Sequence, residues 1–440
     1  MAIPDISDNF KKLVNSSKNF EGLYDILWKS VEGNKMEAKY TKSVSIGLFN
    51  VPCGGFGDII VTKTFHDYLK DWYPSAKVSI CTTGPNKYKD LGLKNTKIYH
   101  LTRKDGSSYD DGECSGYEEL KMVTKKINFD IMIVIPIINY VFDIRKFKKL
   151  IPSATVFNTF SVSEYNGEFP PYTFPIGVGK GQLGMLFNNF KYKQQTVIKK
   201  PYALVYIQPS PAWGVHSKYC FMAYLEMICK NYHKKHLDFQ VVIPAWIYET
   251  LDENYQFMLD VKKMTTSYYG TVSIINKEKE KFVLAQNEKK KGELIFRADI
   301  LPQKREIFIS VMKDSVRDIL VTGDQSLTDI ISCCKYKRVW YQIAPWKKGL
   351  AENLHTHLPN KYYRTYKTSC GTLKSIDTEI DWTSFMKEYD FRIHGKKRMD
   401  SILISNYMYK HDKRYKEISE AIEKSRYLET AQNKINKILN

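Results

Sequence analysis

The sequence predicts an α/β protein of two Rossmann-like domains facing a cleft, with helical extensions at the N- and C-termini. Three observations predict it. Short apolar runs alternate with amphipathic helical segments, the rhythm of a parallel sheet with helices on both faces. The rhythm breaks in a proline- and glycine-rich stretch, 161–195, and then restarts. In each half a strand runs into a turn of small and polar residues and then a helix, where an open α/β sheet binds its ligands. A chain of 440 residues has room for two or three domains. The expected divisions are an N-terminal helical extension at 1–43, a first Rossmann-like domain at 44–195, a second at 196–380, and C-terminal helices at 381–440.

Taken in order, the chain opens with an amphipathic helix expected around 10–31. The apolar run 44–51 reads as a buried strand, after which Ile59, Ile60, Phe65, Tyr68 and Leu69 fall near helical spacing. KVSICT (77–82) and KIYHL (97–101) read as strands, 117–126 as a helix, and DIMIVIP (130–136) as a fully buried strand. A helix at 141–150 and a strand at 155–160 follow. The stretch 161–195, with Pro170, Pro171, Pro175 and GVGKGQLG, reads as a long loop ending in a helix, and loops of that length are usually functional or mobile. In the second half, YALVYIQ (202–208), FQVVIP (239–244), TVSII (271–275), ELIF (293–296), DILVT (318–322) and RVWYQI (338–343) read as strands. Helices are expected at 218–232, 302–312 and 326–333, and the lysine-rich 277–292 reads as a solvated insertion. Beyond about 380 the chain reads as helical, and Ile418, Ile422, Leu428, Ile435 and Ile438 make an apolar face expected to pack back on the protein.

Composition narrows the function. Hydrophobic residues at 43% and charged residues at 26% are those of a soluble globular protein. No apolar run reaches the roughly 20 residues that span a bilayer, and MAIPDISDNFKKLV lacks a signal-peptide core. A cytoplasmic protein without a transmembrane segment is therefore expected. The eight cysteines (53, 81, 114, 220, 229, 333, 334, 370) form no CxxC pair and sit mostly in apolar runs, which favours buried thiols over a disulfide framework or zinc site. A net charge of +19 raises nucleic acid as a partner. The lysines are diffuse, however, and a basic surface that meets nucleotide-sugar phosphates or anionic acceptors accounts for them equally.

Three segments carry the candidate chemistry. The first is Gly54, Gly55 and Gly57 followed by Asp58, a glycine turn that lets backbone approach a ligand closely; Asp58 is either a helix N-cap or an acid–base group. The second is Gly323, Asp324, Gln325 and Ser326, where a strand ends and a helix opens. Unbonded N–H groups and the helix dipole there favour a phosphate, which Ser326 would also bond. Lys347 or Lys348 would reach a phosphate and Asn353 a sugar hydroxyl, although solvated lysines are the ordinary outcome. The third is Ser210, Trp213, His216, Ser217 and Lys218, which bring two hydroxyls, a cation and two rings to a helix start; Trp213 reads equally as a core anchor and His216 as a structural histidine.

Gly-Phe-Gly-Asp-Ile-Ile after the first strand resembles the turn of the lipopolysaccharide heptosyltransferases and their GT-B relatives. The resemblance implies that Asp58 is the general base. It likens Ser210 and Lys218 to the family's hydroxyl residue and lysine on the donor diphosphate, and Asp324 and Ser326 to its donor-phosphate helix start. It covers roughly 44–365 in architecture, and where the family has Asp-Thr-Gly-x-x-His this chain has TGDQSLTD, so ADP-heptose is not the favoured donor.

The reading is a glycosyltransferase that moves a sugar from a nucleotide-diphosphate sugar to a hydroxyl on a glycan, lipid-linked or protein acceptor. An inverting mechanism is expected, and, because no convincing DxD lies between strands, one without a metal or other cofactor. Asp58 would be the base, with His216 and Glu164 in reserve. Two rivals share the pattern: a two-Rossmann sugar-nucleotide epimerase, and a non-catalytic basic module for nucleic acid or anionic glycans.

Overall fold

The computed structural model describes residues 8–34, 38–42, 44–52, 57–89, 91–93, 95–103, 105–109, 120–122, 128–137, 159–163, 165–166, 173–188, 192–209, 216–344, 347–377 and 382–440. The chain divides into two compact units, Met1–Leu186 with Tyr389–Asn440, and Phe187–Glu388.

The first unit begins with α1 (Asp8–Ser16) and α2 (Phe20–Lys29). They stand where one helix over 10–31 was expected. The break comes at Asn19, which is extended and whose side chain accepts from the Gly22 N–H at 2.7 Å, capping a new helix. A short α3 (Ala38–Thr41) leads to β1 (Ser45–Asn50), α4 (Gly57–Trp72), β2 (Lys77–Thr82), β3 (Lys97–Arg103), β4 (Leu120–Met122), β5 (Ile131–Ile137), β6 (Thr159–Ser163) and β7 (Thr173–Phe174). The sheet order is β4-β3-β2-β1-β5-β6-β7, parallel throughout except for the β3–β4 pair. The chain steps outward from β1 to β3 and then crosses to β5, so the topology reverses beside β1.

Two expectations change here. The helix read at 117–126 is, in its described part, the edge strand β4, whose pairing with β3 overrides local helix preference. The long stretch 161–195 ends in no helix among its described residues; instead Gly177 and Gly184 form a bridge, and the Gly177 N–H donates to the Gly184 carbonyl at 2.8 Å. The helix expected at 141–150 lies outside the described residues, as do 155–158.

The second unit contains β8 (Tyr202–Tyr206), α5 (His216–Tyr232), β9 (Asp238–Val242), α6 (Ala245–Glu253), α7 (Tyr255–Thr266), β10 (Thr271–Ile275), β11 (Lys281–Gln286) and β12 (Glu293–Arg297). It continues with α8 (Arg305–Asp314), β13 (Asp318–Val321), α9 (Asp324–Cys333), β14 (Arg338–Tyr341), α10 (Lys348–His357), β15 (Tyr363–Thr368), β16 (Gly371–Asp377) and α11 (Trp382–Glu388). The sheet order is β11-β10-β12-β9-β8-β13-β14-β16-β15, parallel from β10 to β14 with antiparallel edges. The supposed insertion 277–292 thus supplies an edge strand, β11. The central strands are apolar on both faces because helices cover both, and Phe221, Phe257 and Phe296 pack together in the core.

From Tyr389 the chain rejoins the first unit in α12 (Phe391–His411), α13 (Lys413–Lys424) and α14 (Leu428–Leu439). Phe391 is fully buried, its ring 5.6 Å from Phe65 and 6.4 Å from Trp72 of α4, and Tyr73 donates to Asp400 at 2.6 Å. The apolar face at Ile418, Ile422 and Ile435 does pack back, joining Val14 and Leu27 of the N-terminal helices in one cluster. Gln432 of α14 donates to the Val14 and Ser17 carbonyls at 2.9 and 3.0 Å. The two terminal segments, read separately in the sequence, therefore build one helical layer.

Among the described residues no helix is long and apolar enough to cross a membrane. The six described cysteines are free thiols, and burial pushes Cys81 up to about 12.

Candidate functional site

At the carboxyl end of the first sheet, Asn50 closes β1 as a polar residue with no exposure. Its amide donates to the Ile135 carbonyl on the neighbouring strand, and its oxygen accepts from the Tyr88 hydroxyl, both at 2.7 Å. Asp58 is the second residue of α4, half-buried, with its backbone carbonyl accepting from Thr62 Oγ1 at 2.7 Å. It is inside the first turn and is not the N-cap, where its charge is favoured by the helix dipole. Burial raises the Tyr88 pKa; a hydrogen bond with Thr62 offsets part of this and the charge of Asp58 adds to it. Gly54, Gly55 and Glu164 lie outside the described residues.

In the second unit, α9 opens at the end of β13, on the reversal of strand order between β8 and β13. Gly323 precedes it with φ 86° and ψ 140°, a backbone conformation reserved for glycine, and offers no side-chain cap. A Cβ added at Gly323 would meet no atom within 4 Å. The first-turn N–H groups of Asp324, Gln325 and Ser326 are thus uncapped by any side chain, and Ser326, partly exposed, has no side-chain hydrogen bond among the described residues. Asp324 is buried and pairs with Lys347, also accepting from Tyr341 at 3.3 Å. Its charge is neutralised within the unit, so it does not repel an anion at the helix start, but it cannot itself bond a phosphate oxygen.

Gln342, which the sequence reading passed over, ties this end of the sheet together. It is fully buried; its Oε1 accepts from the Gln208 N–H at 3.0 Å, its amide donates to Ser217 Oγ at 3.0 Å, and its carbonyl accepts from Thr322 at 2.9 Å. Ser217 in turn donates to the Gln208 carbonyl at 2.9 Å. The Ser217 hydroxyl is therefore committed to joining β8, α5 and β14, rather than presented to a ligand. The signal available was a glutamine closing an apolar strand, the same signal that marks Asn50.

Lys218 holds its ammonium 5.6 Å from the Phe257 ring centroid, against α7. Lys348 pairs with Glu352 at 3.6 Å, and Asn353 donates to the Gly349 carbonyl at 2.8 Å. His216 is the first residue of α5, while Ser210 and Trp213 lie outside the described residues. The structure thus brings Gly323, Asp324, Gln325, Ser326 and Lys347 to one helix start, with Ser217 linked to it through Gln342; Asp58 belongs to the other unit. Among the described residues no three His, Cys, Asp or Glu side chains are grouped to hold a metal ion.

No family model matches the chain, and no curated protein does. A solved structure titled "OtsA apo structure" covers 87% of this chain and all of its own length at 10% identity, with a TM-score of 0.34, too loose a likeness to carry an argument.

Proposed function

We propose that this chain is a glycosyltransferase of the GT-B type that takes a nucleotide-diphosphate sugar and transfers the sugar, with inversion and without a divalent metal, to a hydroxyl acceptor. The observation that carries the reading is the start of α9. An uncapped helix opens on a left-handed glycine at the strand-order reversal of a parallel sheet, with a hydroxyl and internally neutralised charge beside it. Such an end favours an anion, and a diphosphate is the anion that a leaving nucleotide presents. The helix N–H groups and Ser326 would hold it as negative charge develops on the leaving oxygen. Asp58 would accept the acceptor's proton as the anomeric carbon is attacked.

The test is calorimetric titration with UDP-, GDP-, ADP-, CMP- and dTDP-sugars, followed by assay of sugar transfer with and without EDTA. One member of the panel should bind, Ser326→Ala should weaken it by ~1.5–3 kcal/mol if the hydroxyl bonds a charged oxygen, and EDTA should leave transfer intact. Absence of binding by the whole panel would overturn the reading, and activity abolished by EDTA and restored by manganese would overturn its metal-free form.

A further inference from the structure

The lysines that look diffuse along the chain gather at one edge of the second sheet. Strands β12, β9, β8, β13 and β14 are neighbours and all parallel, so the segments that enter them share the amino edge. Backbone bonds knit those entries together. The Glu293 N–H donates to the Leu237 carbonyl at 2.9 Å, Gln240 to Pro201 at 3.2 Å, Val316 to Tyr202 at 2.8 Å and Arg338 to Arg317 at 2.7 Å. Each entry carries exposed lysine: positions 289–291 before β12, 234–235 before β9, 199–200 before β8, Lys313 before β13 and Lys335 before β14. At ~4.8 Å between strands the row is about 19 Å long.

Carboxylates do not balance it. Asp318 is buried and bonded to Trp340 and Tyr232, Glu293 pairs with Lys281, and Asp238 with Lys200 at 3.4 Å. Asp314 and Glu288 are the carboxylates left exposed against the row among the described residues. Lys199, Lys234, the lysines at 289–291 and Lys335 make no ion pair among those residues. At the carboxyl end of the same sheet, by contrast, Arg297, Lys347 and Lys277 each pair with a carboxylate. Helix dipoles account for the lysines at the ends of α5, α8 and α9, but not for 199–200 or 289–291, which adjoin no helix. Like charges held together repel and cost stability, a cost that a bound polyanion removes.

We propose that this row binds the phosphate backbone of a single-stranded nucleic acid, independently of the start of α9, which lies at the carboxyl edge of the same sheet. A line of cations matches a line of phosphates, and lysine, a flexible point charge, follows a backbone without reading its sequence. Tyr336 closes the row beside Lys335. Its ring is 68% exposed, on a backbone in the left-handed region at φ 63°, which is rare for so bulky a residue. A ring presented in this way stacks on an unpaired base. A bilayer would need apolar anchors as well as charge, and Leu237, 64% exposed, is the one exposed aliphatic side chain among the described residues of the row.

The experiment follows the fluorescence anisotropy of a labelled oligo-dT of about twelve nucleotides as the full chain is added, at salt from about 50 to 200 mM. Log affinity should fall steeply with log salt, by about 0.7 for each phosphate held. Lys289→Gln, Lys290→Gln and Lys291→Gln together should lower affinity by about tenfold or more and flatten that slope by about 2. Lys199→Gln with Lys200→Gln should act in the same direction. The same loss of charge at exposed positions on the terminal helices, Lys413→Gln, Lys434→Gln and Lys437→Gln, should leave the slope unchanged. Tyr336→Ala should weaken the single strand by about fivefold or more and leave binding of a duplex of the same length as it was. All these side chains are exposed, and an unaltered melting temperature checks that each variant folds. No binding of the strand at about 50 mM salt, or equal effects of the row and terminal-helix substitutions, overturns the inference. So does a preference for duplex that Tyr336→Ala does not alter. Tighter retention on phosphatidylserine vesicles, abolished by Leu237→Gln, also overturns it and assigns the row to a membrane.

Discussion

Replacing Gly323 by alanine isolates backbone conformation from crowding. A methyl at this position would touch nothing within 4 Å, so no clash opposes it. The cost is conformational: φ 86° with ψ 140° lies where L-residues are strained by ~1–3 kcal/mol. Alanine also narrows the unfolded ensemble, which returns ~0.4–1 kcal/mol. If the helix start keeps its shape, Gly323→Ala should lose about 1–2 kcal/mol of stability, the difference between those two terms. If it relaxes instead, stability is kept but the first-turn N–H groups re-aim, and donor affinity should fall by about tenfold, one charged hydrogen bond's worth. Gly57→Ala is the control: Gly57 is also in open space, but it is the first residue of α4 and not in the left-handed region. It should be neutral or slightly stabilising, since alanine favours a helix by about 1 kcal/mol over glycine. Urea unfolding and calorimetric titration read both outcomes. A Gly323→Ala protein matching wild type in stability and in donor affinity would refute the claim that this conformation shapes the site.

Asp58→Asn keeps a polar group in the first turn of α4 but cannot accept a proton; turnover should drop by roughly 10²–10⁴-fold with donor affinity and melting temperature nearly unchanged, and transfer at the wild-type rate would remove Asp58 as the base. Lys337 is buried, donating to the Ser315 carbonyl, to Ser315 Oγ at 3.3 Å and to the Val316 carbonyl at 3.2 Å, and burial lowers its pKa from 10.5 to about 8. Between those values the unfolded chain binds more protons, so the Lys337 contribution to stability is present above about 10.5 and lost as pH falls through about 8. The wild-type minus Lys337→Met stability difference should therefore rise by about 3 kcal/mol across that window, and a difference constant with pH in urea titrations would contradict it. Gly395→Ala would place a Cβ 2.3 Å from the Phe391 ring, which Phe65 and Trp72 hold in place. Overpacking by ~1–3 kcal/mol should outweigh the helix-propensity gain of about 1 kcal/mol, and adding Phe391→Leu should relieve it; a Gly395→Ala protein more stable than wild type would show that the ring yields.

Sequence alone determined much of this protein, because its strongest signals are local. The apolar runs of β1, β5, β8 and β13 are legible as buried parallel strands, since a strand covered on both faces needs no polar alternation. The helix after Gly323 is legible because a glycine, polar first-turn residues and an apolar run to Ile331 all lie within a few positions, while the left-handed conformation of that glycine needed coordinates. Asp58 stands out for the same reason, although its place in the first turn rather than at the cap needed coordinates. Tertiary structure decided what depends on partners distant in sequence. The β4 strand exists because β3 offers an edge, against the helical preference of its own residues. The N-terminal helices and α13–α14 form one layer because each presents an apolar face that only the other covers, some 400 residues away. Gln342 looked like an ordinary strand residue until folding brought Gln208 and Ser217 to its amide. Ser217 looked like a ligand until the same bonds claimed it. Gln325 had a legible place in the sequence, but the way its amide is turned depends on Asp329, and on the arginine and asparagine that hold that carboxylate. Hydrophobic pattern is written along the chain, whereas the pairing of buried polar groups is settled only when the chain closes on itself.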